Sequence, residues 1–260
     1  MKFAGIIAEY DPFHNGHAWQ LAQAKALGAE RVAVAMSCSL VQRGALPLLP
    51  EAVRTRSALT CGADLVFALP APCACAGAEA FARAGVALLA AAGCDGLVFG
   101  AETPDAALLM EAAELLDSGS YRAALKAQLA GGARSFAAAR QAAAAELASD
   151  ERVAALLDKP NNNLAVEYCR AIRSLAPRME AYPLPRQGAN HGEALHSAHG
   201  QFASASALRK LWAEGGADAV APYVPEAVFP LYQEAYAAGQ YTDFSAAGRC
   251  ELALLRARCT

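Results

Sequence analysis

His14 and His17 stand three residues apart with Asn15 and Gly16 between them, and Ser204, Ser206 and Arg209 form a second short cluster far along the chain. An apolar run from Phe3 to Ala8 reads as a short buried strand. Asp11-Pro12 ends it, since proline supplies no N–H and fixes φ. Ala18 to Leu27 then reads as a helix with Leu21, Ala24 and Leu27 on one face. The two histidines therefore sit where a strand turns into a helix N-terminus, a place whose backbone N–H groups and dipole suit an anion. Gly16 leaves room for a phosphate to approach the backbone. The chemistry implied is binding of a nucleotide phosphate. The second cluster puts hydroxyls at a helix start and a guanidinium one turn on, on the same side, an arrangement that grips a β,γ-pyrophosphate.

The elements that must position these groups alternate through the first hundred residues. Strands are expected at Phe3–Ala8, Arg31–Met36, Asp64–Leu69 and Gly96–Phe99, and helices at Glu51–Cys61 and Gly77–Ala92. Strands separated by helices of this length predict an α/β fold with a parallel sheet covered on both faces. Ligands then bind at the carboxyl ends of the strands, where the histidine turn, the loop Gln42-Arg43-Gly44 and Phe99 to Glu102 should converge. Residues 104–157 are alanine-rich and helical in pattern, with breaks at Ser118 to Ser120 and Gly131-Gly132, and read as an insertion. Lys159 to Asn163 is expected to cap a helix over Leu164–Leu175, followed by a fifth strand at Met179–Leu184. A loop from Arg186 to Gln201 carries His191, expected at a site edge, and His196 and His199, expected on the surface. The stretch 215–260 reads as helical, without a clear stopping point.

A chain of 260 residues, 55% hydrophobic and 18% charged, can bury one substantial core. No apolar stretch is long enough to span a bilayer and the N-terminus lacks the regions of a signal peptide, which places the chain in the cytoplasm. A net charge of −3 gives no global case for nucleic acid, so an RNA partner would need a local basic patch. The eight cysteines are irregularly spaced and read as buried thiols, since Cys73-Ala74-Cys75 has no second pair to complete a zinc site. Lys25, Arg54 and Arg56 read as solvated helix faces. The loop Gln42-Arg43-Gly44 is either a plain polar loop or a contact for RNA phosphate or an acyl-adenylate.

A strand–turn–helix carrying His-x-x-His resembles the HIGH-type signature of the nucleotidylyltransferase superfamily, and Ser204 to Arg209 resembles its second signature. A narrower resemblance covers roughly the first 210 residues. Glu9 to His17, Met36 to Gly44, Asp64 to Pro70, Cys94 to Glu102, Lys159 to Asn162 and Ser204 to Lys210 match, in order and spacing, the bacterial tRNA(Met) cytidine acetate ligase family. The resemblance implies a Rossmann-like, nucleotidylyltransferase-type catalytic domain over 1–214, with 104–157 as its helical insertion and 215–260 as a helical C-terminal segment. It implies activation of acetate by ATP to acetyl-adenylate, with release of pyrophosphate. The acetyl group then passes to the exocyclic amine of the wobble cytidine of elongator tRNA(Met).

Carried onto matching positions, the resemblance makes His14, His17, Ser204 and Arg209 the catalytic groups, with Ser206 beside them. It makes Ile7, Glu9, Tyr10, Asp11, Pro12, Phe13, Asn15, Gly16, Gln20, Gly100, Asn161 or Asn162, Arg186 and Gln187 the ATP site. A magnesium ion bridging the phosphates is expected from nucleotide chemistry, although no dedicated carboxylate cage is visible. Asp11 stands where the family has Asn, and a carboxylate there repels phosphate unless a cation or hydrogen bonds compensate. The Asp-Pro-x-His-x-Gly-His form is that of nicotinate-nucleotide adenylyltransferases, which keeps a small-molecule adenylyltransferase as an alternative. Glu51-Ala52 replaces the family's Lys-Trp pair. Family members extend well beyond residue 260, so weak, salt-dependent tRNA binding is expected; with Glu51-Ala52 this also admits a degenerate nucleotide-binding module.

Overall fold

The computed structural model describes residues 1–185, 202–248 and 250. Five strands, β1 (Phe3–Ala8), β2 (Arg31–Ser37), β3 (Leu65–Leu69), β4 (Gly96–Ala101) and β5 (Glu180–Pro185), form one sheet in the order β3-β2-β1-β4-β5. β1 runs parallel to β4, and β4 parallel to β5. This is the expected α/β class with a Rossmann-like sheet, and its strand order reverses at β1, the strand that feeds the histidine turn. Val32 to Ser37 in β2 and Gly96 to Phe99 in β4 are buried without alternation, the pattern of strands covered on both faces.

The chain divides into two compact units. The first comprises Met1–Ile7, Ala24–Ala35 and Ala76–Arg186. Here α4 (Ala78–Ala91) packs on α9 (Pro160–Leu175), and α5 (Ala106–Asp117) packs on α9 as well. A Cβ on Gly85 would lie 2.5 Å from Ile7 Cδ1, so glycine is what lets α4 cross β1 closely. Residues 104–157, expected as a helical insertion, hold four helices, α5, α6 (Gly119–Ala130), α7 (Phe136–Leu147) and α8 (Glu151–Leu156). Each has an acceptor side chain at its N-cap: Asp105, Ser118, Ser135 and Asp150. Three alanines of this stretch, Ala139, Ala143 and Ala144, are fully buried. The alanine runs hid a charge network: the buried Glu167 accepts from Arg140 at 2.6 Å and from Arg170 at 2.7 Å, and Arg170 also reaches Asp117 at 2.8 Å.

The second unit comprises Ala8–Gln23, Met36–Cys75 and Gln187–Thr260. It holds α1 (Asn15–Ala26) for most of its length, α2 (Glu51–Thr60), the short α3 (Ala71–Ala74), α10 (Ala205–Val220) and α11 (Phe229–Ala237). Among the described residues after 215, helix is interrupted by turns. α10 kinks at Gly216, whose φ is 68°, a short turn follows at Ala221–Tyr223, and helix resumes in α11 and again over 244–248. The buried Trp212 and Tyr232 pack edge-on at 6.0 Å there, and the more exposed Tyr236 and Tyr241 pack edge-on against Trp212.

Element boundaries moved where polar residues joined a helix. α1 begins at Asn15, not Ala18, because His14 O accepts from both His17 N and Ala18 N. α9 begins at Pro160, so the asparagines form its first turn instead of preceding it. β4 continues through Gly100 and Ala101, two residues past the expected end. Among the described residues no helix is long and apolar enough to cross a membrane.

Candidate functional site

The site is built from the second unit's histidine turn. Tyr10 adopts a φ of 50°, a left-handed conformation rare for a residue with a Cβ. Burial holds it there: Tyr10 is 1% exposed and its ring meets Phe13 edge-on at 4.9 Å. Pro12 is buried beside them. The rings of Tyr10 and Phe13 flank His17 at 4.8 and 5.6 Å, and His14 stacks on His17 at 3.8 Å. Both histidines accept at Nδ1, His14 from Gly16 N–H at 3.0 Å and His17 from His14 N–H at 3.3 Å. A ring nitrogen that accepts carries no proton, so each neutral imidazole carries its proton at Nε2. The turn therefore presents two N–H donors beside the first turn of α1, a composite suited to phosphate oxygens.

Gly16 makes room for a histidine ring. A Cβ there would lie 2.9 Å from His14 Cε1 and would push the ring off its position. Asn15 donates from Nδ2 to Pro222 O at 3.3 Å, and Gln20 lies half-buried further along α1. The fully buried Tyr232 donates its hydroxyl to Phe13 O at 2.7 Å, so the late segment of the chain holds the turn from behind. Nothing in the sequence pairs these two residues.

Asp11 meets the condition that its charge imposes. It is 5% exposed; Oδ1 accepts Leu48 N–H at 2.6 Å, and Arg209 Nη1 donates to Asp11 O at 2.6 Å and to Oδ2 at 3.1 Å. Arg209 thus joins the second signature to the first. Ser204 caps α10 by accepting from Ala207 N–H at 3.2 Å, and its Oγ lies 3.0 Å from Ser206 Oγ. Burial raises the Asp11 carboxyl above its ordinary value, with Leu48 N–H, Arg209 and Arg54 pulling the other way. A raised folded-state pKa gives a stabilising contribution that is complete below the unfolded value of 3.8 and is lost as pH rises through the folded value. Asp11→Asn is accordingly expected to raise the urea midpoint at pH 7, with the gain shrinking as pH falls to about 4. A variant less stable than the native chain at pH 7 would contradict this.

Arg54 corrects an expectation. It is fully buried, not solvated, and its guanidinium knits four carbonyls: Nε to Leu49 O at 2.9 Å, Nη1 to Glu9 O at 2.7 Å and Ser37 O at 2.6 Å, and Nη2 to Cys38 O. The signal was present, since Arg54 falls on the same stripe of α2 as the buried Ser57 and Ala58. Arg56 lies on the other face and pairs with Glu234 at 3.5 Å, in keeping with a surface role. Lys25 Nζ donates to Glu30 O at 3.1 Å. Glu9, half-buried at the carboxyl end of β1, accepts Gln42 N–H on Oε1 at 2.5 Å and so fastens the Gln42–Gly44 turn to the strand.

In the first unit, Gly100 is the exposed residue of β4 and Ile7 lies half-buried against Gly85. Glu102 caps α9, accepting from Asn161 N at 3.2 Å, Asn161 Nδ2 at 2.5 Å and Asn162 N at 2.7 Å. Asn162 is 1% exposed and grips Thr103 with both ends of its amide, at 2.9 and 3.1 Å. Asn161 remains half-buried, and the sequence left the choice between the two open. Arg186, Gln187, His191, His196 and His199 lie outside the described residues. Of the cysteines, Cys38, Cys94 and Cys169 are buried, and burial pushes the Cys38 thiol up to about 11, which keeps it protonated.

A parallel sheet whose first strand leads into paired histidines on a helix start, answered by a Ser-x-Ser-x-x-Arg helix, is the arrangement of a nucleotidyl transferase. Residues 1–255 match the family described as HIGH Nucleotidyl Transferase, and the chain belongs to that family. Within it, the chain is similar to the tRNA(Met) cytidine acetate ligase of Syntrophotalea carbinolica, 42% identical over 218 residues that make up 83% of this chain and 52% of that protein. The same-named protein of Caldanaerobacter subterraneus subsp. tengcongensis is 35% identical over 244 residues, 92% of this chain and 60% of its own length. The crystal structure of Thermotoga maritima TmcAL bound with alpha-thio ATP superposes with a TM-score of 0.83 at 30% identity, covering 93% of this chain and 57% of the other. The apo form gives 0.85 at 31%. The chain thus spans between about half and three fifths of the length of these relatives.

Proposed function

We propose that this chain joins acetate to the wobble cytidine of elongator tRNA(Met) at the expense of ATP, working in the cytoplasm where both are found. The observation that carries the reading is the pair of Nε2–H donors, on His14 and His17, at the start of α1. An acetate oxygen attacks the α-phosphorus, and negative charge grows on the phosphate oxygens. His14, His17 and the α1 N-terminus stabilise that charge without moving. The N-terminus of α10 with Ser204, Ser206 and Arg209 takes the departing pyrophosphate. No protein nucleophile is required, so positioning and charge stabilisation suffice. Around the phosphates we assign Glu9 to Gly16 and Gln20 to the ATP site, with Ile7, Gly100, Asn161, Arg186 and Gln187 serving the rest of the nucleotide.

The described residues contain no group of three or more His, Cys, Asp or Glu able to hold a metal ion, and both oxygens of Asp11 are already engaged. They do not fit a resident magnesium site, so an ion bridging the phosphates would arrive with ATP as part of the substrate. Asp11 no longer speaks for a mononucleotide acceptor, because its carboxylate is spent on Leu48 and Arg209 inside the protein. ATP–pyrophosphate exchange tests the reading: exchange should depend on acetate. Exchange that depends on nicotinate mononucleotide instead would favour the small-molecule adenylyltransferase, and ATP binding with no exchange would favour a degenerate module.

A further inference from the structure

Resting on that reading, we propose that Glu9 is the general base of the acetyl-transfer step, accepting the proton of the cytidine amine as that amine attacks the acetyl carbonyl. The exocyclic nitrogen of cytidine is a weak nucleophile because its lone pair is delocalised into the ring. As its bond to the acetyl carbon forms, the bond from that carbon to the adenylate oxygen breaks. AMP leaves as a stable anion and needs no acid, whereas the nitrogen must shed a proton. The step therefore calls for one base, and the products are the acetylated amine, AMP and a proton passed on to solvent.

The histidine turn offers few groups able to serve. His14 and His17 already accept at Nδ1 and carry their protons at Nε2, so they are donors. Asp11 is closed off, with one oxygen on Leu48 N–H and the other on Arg209. Glu9 differs. It stands at the carboxyl end of β1, half-buried, with Oε1 held by Gln42 N–H, while Oε2 has no protein partner among the described residues. The bond that fixes Oε1 also fixes which way Oε2 points, and it ties Glu9 to the Gln42–Gly44 loop, a candidate for contact with RNA or acyl-adenylate.

The charges around Glu9 support the role. Burial raises its carboxyl above the ordinary 4.5, and Asp11 raises it further; Gln42 N–H, Arg209 and Arg54 oppose without cancelling. A bound adenylate phosphate would add a further upward push. A base lifted toward neutrality is better matched to proton abstraction at physiological pH than an ordinary carboxylate.

Glu9→Gln keeps the shape and the acceptor for Gln42 N–H, and it removes only the capacity to take a proton. The test measures two half-reactions on the 260-residue chain. One is acetate-dependent ATP–pyrophosphate exchange. The other is single-turnover transfer from supplied acetyl-adenylate to an elongator tRNA(Met) transcript and, at high concentration, to free cytidine. Because Glu9 also lies in the proposed ATP site, exchange should fall as well, but transfer should fall about 100-fold further than exchange, the usual worth of a general base. Native transfer should climb with pH through the acidic range and level off, and the Gln variant should lack that climb. Equal loss in both half-reactions would leave Glu9 a nucleotide contact alone and overturn the proposal. So would transfer at the native rate, or a native chain that exchanges but transfers to neither acceptor. A native chain with no acetate-dependent exchange would sink the parent reading instead.

Discussion

Replacing His17 with alanine should lower acetate-dependent ATP–pyrophosphate exchange by about 100- to 1000-fold, the usual cost of losing one preorganised donor to developing charge. The ring is placed by three neighbours: it stacks on His14 at 3.8 Å and is flanked by Tyr10 and Phe13. Its Nδ1 also accepts His14 N–H, so its removal loosens the partner donor. His14→Ala combined with His17→Ala should therefore cost less than the product of the two single losses, because the rings act as one unit. The fold should survive, since His17 is only half-buried and the buried side of the turn is carried by Tyr10, Phe13 and the Tyr232 hydroxyl. Exchange at the native rate in a folded His17→Ala chain would remove the phosphate role from this residue.

The largest effect on stability is expected at Arg54. Arg54→Met fills much of the same space but withdraws the donors to Glu9 O, Ser37 O, Cys38 O and Leu49 O. Exchanging a whole buried ion pair for apolar groups is often harmless, because both costs of desolvation vanish together. Here the partners are backbone carbonyls and stay behind. At about 1–3 kcal/mol for each buried acceptor left unpaired, offset by the guanidinium no longer needing to be dehydrated, a net loss of about 4 kcal/mol is expected, read as a lower urea midpoint at unchanged m-value. Arg54→Lys should recover less than half, because an ammonium has three donors in the wrong geometry for a four-carbonyl fork. A Met variant as stable as the native chain would show that these carbonyls find water instead.

Periodicity made much of the fold legible. The five strands and the breaks around Ser118 and Gly131 all follow from runs of apolar residues and their punctuation. What periodicity misread were helix starts made of polar residues. Asn15 and Asn161 look like loop, yet each lies in a first turn, where donors lack helical partners and polar side chains are welcome. Within the site, local spacing exposed the histidine turn and the Ser204 to Arg209 clamp, because each is contiguous. It could not expose Arg54 binding Glu9 or Tyr232 binding Phe13, which depend on folding distant segments together. Arg54 was misjudged through a default that charges face water, although its place on the buried stripe of α2 argued otherwise. Asp11 was recognised as a problem; its solution, Leu48 N–H with Arg209, needed coordinates.

The hydrogen bond from Tyr232 to Phe13 spans 219 residues of sequence, and that from Arg209 to Asp11 spans 198. On a ribosome, residues near the histidine turn emerge early and then wait for partners made about two hundred residues later. Loop closure over such distances is slow and comes late in folding. A nascent chain stopped short of α10 and α11 would carry both histidines yet lack the guanidinium that compensates Asp11 and the hydroxyl that holds the turn. On the proposed reading, the phosphate site is therefore complete only once α10 and α11 have emerged.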